Sequence, residues 1–434
     1  MKILNFLSLS GLFLLPLAYI FSLASINIIL FIIVFNFLLS SFIFKDYGGF
    51  KNNFFKSVLI FWFYISLQGA LSENGNLLKS IGYIRFLILP FAISYLLNKN
   101  LDKINLLKSF YLIIVALVIF DIFIQVFTGK DLLGYRADWI NGFYSTPFEL
   151  WNTHALQRFA GPFGFDKRAG AFILFFGIIG YFLNNNLNNN NNKKNFYLFL
   201  FFSILTITIV LTGDRSPLLI LFITFALFAF LEKKHRKKAL LIFSSSMVIF
   251  SLLFMFSENT KYRFYKNIKE YGYNSGSNYI PSIDPGMNTN KRISHIIRNN
   301  PWSAHYLAAI EIFKDAPIFG KGIRSFRIEC DKHPNINTKY SKSRCSTHPH
   351  NSLLEIISEL GIVGLLLFGM MFFFLTKSKN SESYSNNLIF YLFIATILPI
   401  KPTGAIFSTW FGSILWLLVA FYYWEKNKFT NHKV

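Results

Sequence analysis

The feature that most restricts this chain is the recurrence of apolar runs long enough to cross a bilayer. An α-helix needs about 20 predominantly apolar residues to span a hydrocarbon core about 30 Å thick. Runs of that kind are read at 4–21, 25–44, 54–71, 80–97, 106–127, 168–184, 196–211, 216–231, 239–256, 351–375, 387–402 and 405–424. Hydrophobic residues make up 53% of the 434, more than a soluble domain can keep out of water. The fold class expected is an all-α polytopic membrane protein of about twelve transmembrane helices. One large loop, on the outer side of the membrane, falls between helices 9 and 10. The implied divisions are 1–127 (helices 1–5), 128–167 (an outer loop), 168–256 (helices 6–9), 257–350 (the large loop) and 351–434 (helices 10–12 and a tail). The first run, after Lys2, resembles a signal peptide. A second run follows it almost at once with no convincing cleavage site, so it is read as a retained helix.

A formal charge of +22 would suggest nucleic acid in a soluble protein. Here the positive residues sit mostly in short connections between apolar runs, where they orient the chain, and no nucleic-acid partner is expected. Lys45, Lys51, Lys99, Lys103, Lys108, Lys193, Lys194, the 232–238 cluster, Lys377, Lys379 and the Lys-rich tail fall on one side; the short opposite loops hold only Lys79 and Arg215. Positive residues favour the cytoplasmic side, so both termini are expected there. The Asn-rich run 184–192 reads as a polar connector.

Segment 257–350 is far too long to be a simple connection. It carries 15 Lys or Arg against 7 Asp or Glu. Within it, Ser303–Ala316 has helical periodicity, with Tyr306, Leu307, Ile310 and Phe313 as the apolar stripe and Ser303 as N-cap. The expectation is a small amphipathic subdomain on the membrane surface, whose basic character suits either anionic headgroups or an anionic lipid-linked substrate. The only two cysteines, Cys330 and Cys345, both lie here. They read as a disulfide, although Cys330-x-x-His333 and Cys345-x-x-His348 also have zinc-ligand spacing.

Charged side chains inside spans are functional candidates because burying them is costly. Arg85 and Asp121 stand at similar depth on successive spans, and an ion pair is the economical expectation. Arg215 follows Thr212-Gly213-Asp214 at the start of a helix opened by Ser216-Pro217. It lies beside free N–H groups that favour anions, or pairs with Asp214. His350 stands where the large loop enters the tenth span; it has the pKa of a base at neutral pH, or serves as a cap. Asn351, Glu355 and Glu359 follow on one helical face, with Glu359 about 13 Å along the axis from His350.

His350-Asn351, then nine residues, then Gly361-Ile-Val-Gly364 resembles the signature of the O-antigen ligase and polymerase superfamily of bacterial inner-membrane enzymes. Gly161-Pro-Phe-Gly164 with Ala169-Gly170, Gly213-Asp-Arg215-Ser, and Pro317-Ile-Phe-Gly320-Lys-Gly322 with Ser325-Phe-Arg327 are similar to other segments of that superfamily. The resemblance covers roughly 155–375. It implies transfer of a glycan from polyprenyl pyrophosphate to lipid A-core, or to another glycan, on the periplasmic face. His350 would be the base and Arg215 would hold the pyrophosphate. An essential loop arginine is also implied: Arg298 first, then Arg292, with Arg324, Arg327 and Asn351 as further substrate contacts. Neither metal nor cofactor is implied. A ligase is favoured over a polymerase, and both over a protein glycosyltransferase. The non-enzymatic rival is a transporter of a lipid-linked anion, for which an internal repeat would be expected and is not seen.

Overall fold

A computed structural model describes residues 2–45, 48–136, 158–164, 168–183, 192–233, 236–261, 264, 302–336, 338, 340–377 and 384–427. Among them the structure is all-helical, without a strand. Helices α1 (Lys2–Phe21) and α2 (Leu23–Ile43) form a hairpin about Ser22, whose hydroxyl accepts from the Ala24 amide at 3.1 Å. Helix α3 (Asn53–Leu71) is capped by Asn52. The fourth apolar run is broken into α4 (Leu77–Gly82), α5 (Ile84–Leu87) and α6 (Leu89–Lys99). Pro90 offers no N–H and its ring crowds the preceding turn, so a continuous helix cannot pass through it undisturbed. Then follow α7 (Ile104–Thr128), α8 (Ala169–Phe182), α9 (Asn192–Leu211), α10 (Arg215–Leu231), α11 (Arg236–Phe256), α12 (Ser303–Asp315), α13 (Ser352–Lys377), α14 (Tyr384–Ile397) and α15 (Thr409–Asn427).

Every apolar run read from the sequence contains helix. Among the described residues, seven stretches are long and apolar enough to cross a membrane: α1, α2, α3, Leu77–Lys99, Leu101–Thr128, α11 and α13. Shorter apolar helices occupy Ala169–Phe182, Phe196–Leu211, Arg215–Leu231 and Asn387–Ile397. The chain is a multi-pass membrane protein. Helix α15 is not among the seven and has a different part. Every residue from Phe411 to Glu425 is buried, as befits a helix enclosed on all sides. It packs against α6 and α14, and its indoles find partners: Trp416 donates to the Tyr83 hydroxyl at 2.8 Å and Trp424 to Asn98 at 3.0 Å.

Two expectations need correction. Arg85 and Asp121 do not pair. Arg85 donates to Asn27 of α2 at 3.2 Å and lies over the Phe86 ring, whereas Asp121 accepts from the Leu132 amide at 2.7 Å. Equal depth does not fix azimuth: α5 turns Arg85 toward α2, and the chain after α7 folds back over Asp121. The stripe expected on Ser303–Ala316 is not the buried face either. Ala304, His305, Ala308, Ala309 and Ile312 are buried, while Tyr306, Leu307, Ile310 and Phe313 are half-buried. Small residues let α12 lie close against α13 and a second core of Phe326, Cys330 and Ile336. Ser303 is not the cap; its hydroxyl meets that of Thr338 at 3.1 Å.

Candidate functional site

Helix α13 is interrupted at Gly361 (φ 65°, ψ −168°), a conformation open to glycine. The break frees the Ser358 and Glu359 carbonyls, which accept from the Lys321 and Gly322 amides at 3.3 and 2.7 Å. It also frees the Ile362 and Val363 amides, which donate to the Pro317 and Ile318 carbonyls at 2.9 and 3.1 Å. A Cβ on Gly320 would overlap the backbone of Glu359 and Leu360, and one on Gly361 would overlap Ile318. The glycine segments 317–322 and 361–364 are thus two halves of one joint.

That joint delivers Arg324 and Arg327. The buried Glu359 carboxylate accepts from the Arg324 amide at 2.8 Å and the Phe326 amide at 3.4 Å. Arg324 is held in the left-handed region (φ 66°) and is half-buried; Arg327 is exposed. Neither guanidinium makes an ion pair or hydrogen bond among the described residues. Burial, then the neighbouring Arg327 charge, lowers the Arg324 pKa.

His350 is likewise left-handed (φ 56°), a conformation that costs a non-glycine residue about 1–2 kcal/mol. Its ring is surrounded by Trp302 (centroids 4.6 Å apart), His305 (5.2 Å) and His348 (4.1 Å). Its side chain makes no hydrogen bond among the described residues. Burial, then His348 and His305, pushes its pKa down to about 3; burial takes His348 down to about 4. Both are neutral imidazoles at pH 7. His348 uses both nitrogens, Nε2 toward the Thr403 carbonyl (3.3 Å) and Nδ1 toward the Thr347 hydroxyl (3.0 Å).

The turn bearing His350 is held by a strap, 398–408, between α14 and α15. Thr403 donates its amide to the His350 carbonyl at 2.9 Å and accepts from Ser352 on its hydroxyl at 2.8 Å. Glu355, buried, accepts from the Ile406 amide at 2.9 Å. Asn351 caps α13 by accepting from the Leu353 and Leu354 amides, and donates to the Pro399 carbonyl at 3.1 Å. Expected to bind substrate, Asn351 has both ends of its amide engaged by the protein, so its part is to hold the helix start. Glu355 and Glu359 likewise hold backbone, one the strap and the other the arginine loop, and neither bonds His350.

The strap also brings in Arg215, the first residue of α10 and exposed. Ser216 lies 3.3 Å from the Pro402 carbonyl, one residue before Thr403. Asp214 is engaged by Arg158 at 3.1 Å and by the Gly170 amide at 3.1 Å, which ties the Gly213-Asp-Arg215 turn to the start of α8. Cys330 and Cys345 form a disulfide. Their sulfurs are therefore not free for zinc, and the two histidines of that spacing diverge: His333 meets Asp315 at 3.1 Å. Arg292 and Arg298 lie outside the described residues.

The structure therefore gathers His350, Asn351, Arg324 and Arg327, links them to Arg215, and leaves Arg85 and Asp121 apart. Sequence reasoning missed Trp302, His305 and the strap. Pro399, Pro402 and Gly404 are the signal for the strap in the sequence, since prolines stop helices and both prolines fall within the apolar run 387–402.

Residues 199–369 match the family model described as O-antigen ligase. The match runs from α9 into α13 and includes Arg215, Arg324, His350 and both glycine segments; the strap lies beyond it. None of the curated proteins compared matches the chain.

Proposed function

We propose that this chain, which matches the O-antigen ligase family model over residues 199–369, is a glycosyltransferase that moves a glycan from polyprenyl pyrophosphate to lipid A-core. In this reading about twelve helices span the inner membrane, both termini are cytoplasmic, and the histidine cluster faces the periplasm. The observation that carries it is a neutral His350 with no side-chain hydrogen bond, stacked against His348, which in turn feels the charges of Arg324 and Arg327, two guanidiniums that no carboxylate hydrogen-bonds among the described residues. A partly desolvated surplus of positive charge calls for an anion, and arginine matches pyrophosphate oxygens in a bidentate manner.

His350 takes the proton of the acceptor hydroxyl as the acceptor oxygen bonds to the anomeric carbon. The bond from that carbon to the pyrophosphate oxygen breaks, and polyprenyl pyrophosphate leaves with the electron pair. Arg215, at the positive end of α10, together with Arg324 and Arg327, stabilises the departing charge. The bound anion raises the basicity of His350, which burial holds low, toward the range useful for a general base.

The test is transfer by purified protein from polyprenyl-pyrophosphate glycan to lipid A-core, with H350A and R215A in parallel. Glycan-capped core from wild type, and a loss of at least about 10²-fold in each variant, is the expected result. Longer lipid-linked glycan with untouched core would reassign the chain as a polymerase. Glycan crossing the bilayer without transfer would reject the enzyme reading in favour of a transporter.

A further inference from the structure

Three rings touch that of His350, and they differ in what they can offer it. The Trp302 indole is a donor only. His348 has both nitrogens engaged, by the Thr403 carbonyl and the Thr347 hydroxyl. His305 is different. Its Nδ1 lies 3.0 Å from the Arg344 carbonyl, and because a carbonyl oxygen can only accept, Nδ1 must carry the proton. In the neutral ring, Nε2 is then an unprotonated acceptor. His305 is buried (9% exposed), and its ring centre is 5.2 Å from that of His350.

The tautomer is braced from behind. Arg344 is fixed by its own side chain, which donates to the Cys330 carbonyl at 2.9 Å and lies 3.4 Å from an Asp331 oxygen. The next residue, Cys345, is bonded to Cys330. On the other side, His305 belongs to the close-packed face of α12. The charged groups that act on His348 are Arg327 and Arg324, which donate and cannot accept.

We infer that His305 is a positioning residue for the reaction proposed above: with its ring centre 5.2 Å from that of His350, its Nε2 is placed to accept the N–H of His350 once the acceptor is bound, which presents the other His350 nitrogen, unprotonated, to the acceptor hydroxyl. One proton moves, from the hydroxyl to that free nitrogen. The N–H toward His305 stays in place and shares the positive charge that appears on His350. The arrangement does for this base what a buried acceptor does for the histidine of a hydrolase triad, with an imidazole nitrogen in place of a carboxylate oxygen. This inference rests on the function proposed above in requiring His350 to act as a base.

Two isosteres separate the roles of the two nitrogens. Asparagine places its NH2 where Nδ1 stands, so H305N keeps the bond to Arg344 and loses the acceptor. Glutamine reaches the Nε2 position, and its amide oxygen accepts. H305N is expected to elute and melt like wild type, with kcat lowered on the order of 10²-fold and KM little changed, while H305Q recovers at least about tenfold of the loss. A second readout does not depend on the glycan: the rate at which diethyl pyrocarbonate modifies His350, followed by mass spectrometry, should fall in H305N and recover in H305Q. Wild-type kcat and modification rate in H305N would overturn the inference. So would an H305Q that is no better than H305N while both remain folded. Absence of transfer by wild type, with the modification pattern as expected, would overturn the glycosyltransferase reading and leave the histidine pair standing.

Discussion

Replacing Gly361 with alanine separates a functional joint from an ordinary helix kink. At φ 65° and ψ −168° an L-residue is strained by about 1–3 kcal/mol. The added methyl would also overlap the Ile318 carbonyl, and Gly320 N would be 2.7 Å away, so backbone rather than a flexible side chain must give way. Moving the 317–322 segment breaks some of the four cross-bonds made by Pro317, Ile318, Lys321 and Gly322, each contributing about 1 kcal/mol. With two of them lost, the cost is roughly 3–5 kcal/mol. Gly369 is the control. It lies in the same helix, is exposed, and has no atom near its Cβ position, so G369A should stabilise by about 0.5–1 kcal/mol through helix propensity. Thermal unfolding in detergent, followed by tryptophan fluorescence, should place G361A roughly 3–6 °C below wild type and G369A at or slightly above it. Transfer activity should fall with G361A because the displaced loop carries Arg324. A G361A protein that melts with wild type would refute the joint, and with it the account of why both glycine segments are needed.

The disulfide closes a loop with 15 residues of sequence separation, worth about 3 kcal/mol in chain entropy, so C330A should speed proteolytic cleavage within 302–350 and leave the helical bundle intact; equal cleavage rates would contradict this. His350 and His348 have folded pKa values of about 3 and 4, below the ordinary 6.5, so the unfolded chain binds more protons between those limits. Their contribution to stability is complete above pH 6.5 and is lost as pH falls toward 4 and then 3. Melting temperatures taken from pH 8 to pH 4 should decline below 6.5, and the decline should be shallower in H348N; parallel curves would refute the assignment.

The membrane-spanning character was legible because burial in lipid imposes a length and an apolarity that a sequence cannot hide, and each of the twelve runs contains helix. His350, Arg215, Arg324 and Arg327 stand out as candidates in the sequence because a histidine or arginine at a helix start or within a basic loop needs a local reason. What stayed hidden depends on contacts between distant segments. The Arg85–Asp121 pairing failed on rotation about the helix axis, which depth cannot supply. His305 was invisible because its significance lies in one carbonyl, that of Arg344, 39 residues away. On α12 the bulky residues drew the stripe, whereas the buried face was chosen by alanines that permit close approach.

The anchoring of the site explains why its strongest sequence signals are glycines, asparagine and glutamates as much as the residues proposed to meet substrate. A base and a set of guanidiniums that act on a departing pyrophosphate must keep their spacing while the charge between them changes. Here each is tied through backbone. His350 is held by Thr403, the strap by Glu355 and Asn351, and the Arg324 loop by Glu359 and the joint at Gly361. Both carboxylates hydrogen-bond amides, so they order the site without hydrogen-bonding its arginines. An acid placed to pair with Arg324 or Arg327 would compete with the pyrophosphate that those residues are proposed to bind. The strap at 398–408 lies beyond the matched domain yet closes on both its histidine and its Arg215 turn. Substitutions there should alter transfer through the position of His350 rather than through any contact of their own with the glycan.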